Sequence, residues 1–244
     1  MERMMKLYTK ITTFLLLLMA FSLSAQEYDD ARYNVVLKQL KLNSSEVHNQ
    51  LYTEKKMPNL EDSYIIIVPV LLGKFENDGF LVKNTILITD SEGKIKSKYI
   101  DETEFDSDAI MLDSFTIDTG IYKLNSTIRA FGITANYRGS SKPNPYSSSD
   151  ISLYYPEGKT FKKILDNYNL RTYRGEWDMN CSGEVEEDNS VIILDKAETN
   201  GFANLKIKTE NIKKFTKEIN GECSEYKTSK ISYKTLKFKK SVYQ

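Results

Sequence analysis

Two carboxylates bracket the single tryptophan in Arg174-Gly175-Glu176-Trp177-Asp178, shortly before Cys181. In an extended segment alternate side chains share a face, so Glu176 and Asp178 point one way and Trp177 the other. A carboxylate pair beside an aromatic is what glycoside hydrolysis needs: an acid, a nucleophile and a ring to stack on sugar. Two acids one residue apart carry little specificity, however. The plainer expectation, from the usual burial of tryptophan, is that Trp177 packs in the core near a disulfide while the acids face water.

Other chemistries have weaker support. Asp106-Ser107-Asp108 and the Glu184–Asn189 run offer oxygen ligands for calcium in segments that read as loops. Neither has the EF-hand spacing nor the glycine its bend requires, so no metal site is expected. His48 is the only histidine. A Ser–His–Asp triad would lack the G-x-S-x-G elbow, and HExxH, the P-loop and GxGxxG are absent from the sequence. No cofactor is expected either.

Aromatic residues suggest recognition instead. Tyr137, Tyr146, Tyr154, Tyr155, Phe161, Tyr168, Tyr173 and Trp177 fall within one stretch. Tyrosine and tryptophan bury large areas while keeping a polar handle, which suits an interface. Tyr154 and Tyr155 must face opposite ways if extended, so one of them is expected to leave the core. Tyr146 follows Asn144-Pro145 in a loop suited to a binding tip. Tyr146, Tyr155 and Trp177 are therefore the candidate contacts to a protein or glycan partner.

The elements that must position these residues read mostly as strands. Residues 64–68 form a β-branched and aromatic run, and 80–89 and 94–100 flank Asp90-Ser91-Glu92-Gly93 as a hairpin. Further short strands are expected at 114–117, 121–124, 128–137, 151–155, 191–194, 203–208 and 231–238, with turns between them. Phe161, Ile164, Leu165 and Tyr168 fit helical spacing or a strand, and 211–219 fits a short helix. Ahead of the strands, Val36, Leu37 and Leu40 lie at helical spacing, and Ser44-Ser45-Glu46 can cap a second helix through Leu51. The fold class expected is all-β or β-rich α+β: an antiparallel sheet or sandwich with a short helical N-terminal lead-in. Residues 26–60 form that lead-in or arm, and 61–244 a single β-rich domain.

Residues 1–25 have the order of a secretory signal peptide: basic Arg3, Lys6 and Lys10, an apolar run from Ile11 to Leu23, then Ser24-Ala25. The run is short for a transmembrane helix. Cleavage after about Ala25 would leave a periplasmic or secreted chain with no integral membrane segment. Cys181 and Cys223, the only cysteines, then read as a disulfide.

Charge narrows the partners. The chain has 34 basic and 34 acidic side chains, and loss of residues 1–25 removes three basic and one acidic, leaving a net of −2. That argues against nucleic-acid binding, which needs a basic excess. The charges are unevenly spread. Seven acids and no bases lie between Lys98 and Lys123, whereas Ala203–Gln244 holds eleven lysines against four glutamates. These blocks read as solvated faces or as surfaces that attract each other.

The sequence therefore points to an exported, non-enzymatic binding protein of the bacterial envelope or extracellular space, masking or inhibiting a protein partner. Two alternatives stand beside it. One is a carboxylate-dependent hydrolase of a cell-wall or extracellular glycan using Glu176 and Asp178. The other is a structural or adhesive envelope subunit, for which unpaired strand edges would be the distinguishing feature.

Overall fold

The computed structural model describes residues 29–75 and 78–244; residues 1–25, where a signal peptide is expected, lie outside the described residues. Ala31–Gln244 forms one compact unit, which carries the fold described below.

Helix α1 (Asp30–Leu40) buries Tyr33, Val36 and Leu37, the face marked by helical spacing. The helix expected over residues 44–51 is instead two single 3-10 turns, Ser44–Glu46 and Asn49–Leu51. Between them Val47 bridges Val70, and the His48 N–H donates to the Pro69 carbonyl at 2.9 Å. The backbone groups a continuous helix would use are thus spent on a neighbouring strand.

Thirteen strands follow among the described residues. Strands β1 (Thr53–Lys56), β2 (Tyr64–Lys74), β3 (Phe80–Thr89) and β4 (Ile95–Ser107) form an antiparallel sheet in that order. The last part of the presumed lead-in is therefore the edge strand of this sheet. Its expected hairpin is present: β3 and β4 join through Asp90–Lys94, with Gly93 at φ 85°. A left-handed backbone there suits glycine.

A second sheet of seven strands is also a meander. It runs β5 (Ile110–Lys123), β6 (Arg129–Gly139), β7 (Tyr146–Glu157), β8 (Thr160–Trp177), β9 (Gly183–Thr199), β10 (Phe202–Ile219) and β11 (Glu222–Leu236). Strands β12 (Phe238–Lys239) and β13 (Val242–Tyr243) close a small C-terminal hairpin. No helix among the described residues is long and apolar enough to cross a membrane.

Two cores hold the layers together. The first joins Ile65, Ile67, Val82 and Ile86 of the short sheet to Phe131, Ile133 and Tyr154 of the long one. The second gathers Leu153, Tyr155, Ile164, Leu165, Leu205, Ile207 and Leu236. Each fully buried aliphatic side chain here contributes roughly 1.5–3 kcal/mol relative to exposure. Near the second core the Ala203 N–H donates to the Leu124 carbonyl at 2.7 Å, so the long sheet curls until β10 meets the end of β5.

This layering corrects two expectations and decides between two alternatives for a third segment. Tyr154 and Tyr155 are both buried, 1% and 8% exposed, because β7 has a core on each face. The stretch from Phe161 to Tyr168 belongs to strand β8. Its apolar residues serve both cores, and that double burial imitates helical spacing. Residues 211–219 likewise continue β10, paired with β11 throughout and with β9 as far as Thr216.

Candidate functional site

Beyond the second core, β8 to β11 continue as a four-stranded ribbon whose register sets the side-chain rows. Directly opposed residues of an antiparallel pair share a face, with Cβ atoms about 5 Å apart. One row runs Tyr146–Arg174–Glu186–Lys213 across β7 to β10. The adjacent row on the same face runs Glu176–Glu184–Phe215–Tyr226 across β8 to β11. Phe215 and Tyr226 are 43% and 49% exposed, so this end of the face is open to solvent.

A cleft of about 350 Å³ lies over these rows, lined by Tyr146, Arg174, Glu176, Glu184 and Glu186 together with Pro145. Close backbone approach shapes it. The loop before β7 follows β8, with Gly175 donating to the Pro145 carbonyl at 3.1 Å and Trp177 to the Pro143 carbonyl at 2.8 Å. A Cβ on Gly175 would sit 2.9 Å from the Glu184 carbonyl oxygen, and one on Gly183 would sit 2.5 Å from that of Glu176. Both positions therefore exclude larger residues.

The three glutamates differ in their electrostatics. Glu186 is clasped by Lys213 and by Arg174, whose Nε lies 3.0 Å away. The Lys213 hydrogen bond, reinforced by Arg174, holds its carboxyl down at about 2. Among the described residues no lysine or arginine forms an ion pair with Glu176 or Glu184. These two acids oppose each other directly, an arrangement that is destabilising in a sheet unless a cation neutralises it.

The residues expected from the sequence separate accordingly. Tyr146 and Glu176 both line the cleft. Trp177 projects from the other face of β8 and is 51% exposed, rather than packed in the core as the plainer expectation held. Tyr155 lies in the second core, away from solvent. Asp178 holds the β8–β9 loop: its Oδ1 accepts the N–H groups of Asn180, Cys181 and Ser182 at 2.9–3.0 Å. That cage presents Cys181 to Cys223 across the ribbon, and the two form a disulfide with Cα atoms 5.6 Å apart.

Glu184, Glu186, Phe215 and Tyr226 are site residues that sequence spacing did not bring together. Glu184 to Asn189 is strand β9, not a loop, so successive acids point to opposite faces instead of converging on an ion. Among the described residues no cluster of His, Cys, Asp and Glu is arranged to hold a metal. His48 backs onto Phe80 with ring centroids 4.1 Å apart, and burial lowers its pKa.

No protein-family model matches the chain, and no curated protein or solved structure is significantly similar to it.

Proposed function

We propose that the chain is an exported, non-enzymatic binding protein that captures a protein partner through the β7–β9 cleft. The observation that carries this reading is the uncompensated Glu176–Glu184 pair, opposed across β8 and β9 and flanked by Tyr146 and Phe215. A lysine or arginine side chain entering there would relieve the like-charge contact and rest against aromatic faces. The partner is accordingly a protein with a basic segment, masked or inhibited by engagement. Export is supported by the signal-like N-terminus and fits the Cys181–Cys223 bridge, which persists in oxidising compartments.

Affinity capture from the periplasmic or secreted fraction tests this, with wild type and Glu176→Gln/Glu184→Gln as baits. The expected result is a saturable partner retained by wild type and lost by the variant. Equal capture by both baits would overturn the assignment of the cleft.

A second reading draws on the same geometry. Opposed Cβ atoms about 5 Å apart would let the two flexible carboxyls reach the roughly 5–5.5 Å separation of retaining glycosidases, so Glu176 with Glu184, rather than with Asp178, would form the pair. Turnover of a defined cell-wall glycan, abolished by Glu176→Gln, would favour hydrolysis over binding.

A further inference from the structure

Parts of the two charge blocks seen in the sequence occupy different edges of the fold: three of the eleven lysines lie on β11 and four of the seven acids on β4. Strand β11 is the terminal strand of the long sheet, and every residue from Glu225 to Thr235 is exposed. Lys227 lies on one face of this strand and Lys230 and Lys234 on the other, so ammonium groups flank the edge from both sides. Among the described residues neither Lys227 nor Lys230 has an ion-pair partner, while Lys234 rests over the Tyr168 ring at 5.6 Å.

Of the acids, Asp113 and Asp118 lie on β5, while Asp101, Glu102, Glu104 and Asp106 lie on β4, the terminal strand of the short sheet. Glu102, Glu104 and Asp106 alternate along it and share one exposed face, above buried Asp101, Phe105 and Ser107. Only Lys83 reaches these acids among the described residues, 3.2 Å from Glu102 and 3.9 Å from Glu104. The strip is therefore a net anionic surface.

We infer that copies of this chain associate head to tail, the lysine-flanked β11 edge of one copy docking on the β4 carboxylates of the next. Lysines along an edge strand repel an identical edge, which disfavours a symmetric β11–β11 dimer. They attract the acidic strip that every other copy carries. Because the two surfaces differ, each copy bound leaves one of each kind free, and assembly continues until a ring closes or a filament grows. Exposed charge pairs are screened by salt, so the association belongs to low ionic strength and to high local concentration.

Sedimentation velocity on the purified full chain tests this. Wild type is expected to form species larger than a monomer in about 0.01 M salt and to dissociate near 1 M. Lys227→Gln/Lys230→Gln lacks one surface, and Glu102→Gln/Glu104→Gln/Asp106→Asn lacks the other. Each variant alone is expected to be monomeric, and an equimolar mixture to double in mass and grow no further, since only one productive contact remains. A strictly monomeric wild type at low salt would overturn the inference, as would self-association of either variant or a mixture that stays monomeric. Circular dichroism confirms folding, and the wild-type salt series decides the question even if a variant fails to fold. Both variants keep Glu176 and Glu184, so this outcome is independent of the cleft's role.

Discussion

The Tyr154 hydroxyl donates to the buried Asp101 carboxylate and ties β7 of the long sheet to β4 of the short one. Lys163 completes the contact, its Nζ 2.6 Å from the other Asp101 oxygen, and Asp101 is 1% exposed. Burial would lower the lysine's pKa, but its hydrogen bonds to Asp101 and Asp166 outweigh that and raise it.

Removing one member of a buried ion pair strands the other charge, at a cost of about 3–5 kcal/mol. Lys163→Met is therefore expected to lower stability by that much in urea unfolding. Tyr154→Phe removes a hydrogen bond to the same carboxylate and should cost less, about 1–3 kcal/mol. A smaller loss for Lys163→Met than for Tyr154→Phe would contradict this ranking. The stability from Lys163 is complete below its ordinary value of 10.5 and is lost as pH rises through the raised folded value.

Glu186 gives the opposite pH dependence. Its folded pKa is depressed to about 2 from an ordinary 4.5, chiefly through Lys213 and then Arg174. Its contribution is present above 4.5 and disappears only as pH falls through about 2. Carboxyl-carbon NMR should find that low midpoint in wild type and a rise toward 4.5 in Lys213→Gln. A wild-type midpoint already near 4.5 would refute the clasp.

Much of the fold was legible from local pattern, and much of the site was not. The β3–β4 hairpin announced itself through β-branched runs around Asp90–Gly93, and α1 through the spacing of Val36, Leu37 and Leu40. Local pattern misled where a strand lies between two cores. Tyr154 with Tyr155, and Phe161 with Ile164, have apolar neighbours on both faces, so alternation vanished. Tyr146 and Glu176 were legible by residue type. Their partners Glu184 and Phe215 were not, because cross-strand register joins residues that no sequence window contains.

The bridge joins Cys181 to Cys223, 42 positions apart in the sequence. In the chain-entropy model closing such a loop stabilises the fold by about 4 kcal/mol. Cys181→Ser/Cys223→Ser should lose approximately that amount in denaturant melts. Mass spectrometry without reductant should show the two cysteine peptides linked; two free thiols would exclude the bridge.

Gly183 is expected to tolerate no side chain. In Gly183→Ala the new Cβ would meet the Glu176 carbonyl oxygen at 2.5 Å, forcing β8 and β9 apart beside the cleft. The expected loss is about 1–3 kcal/mol, the range for overpacking. Thermal unfolding indistinguishable from wild type would show that the strands are not held so closely.

The opposed acids of the cleft are tested most directly by NMR titration with a short lysine- and arginine-rich peptide. Saturable shifts are expected at Tyr146, Glu176, Glu184 and Phe215, with affinity at least tenfold weaker in Glu176→Gln/Glu184→Gln. The same double variant should be more stable than wild type by about 0.2–1 kcal/mol, because it removes a like-charge pair. Resonances at these four residues that stay fixed, or that move identically in the variant, would contradict the cleft as a site for a basic partner.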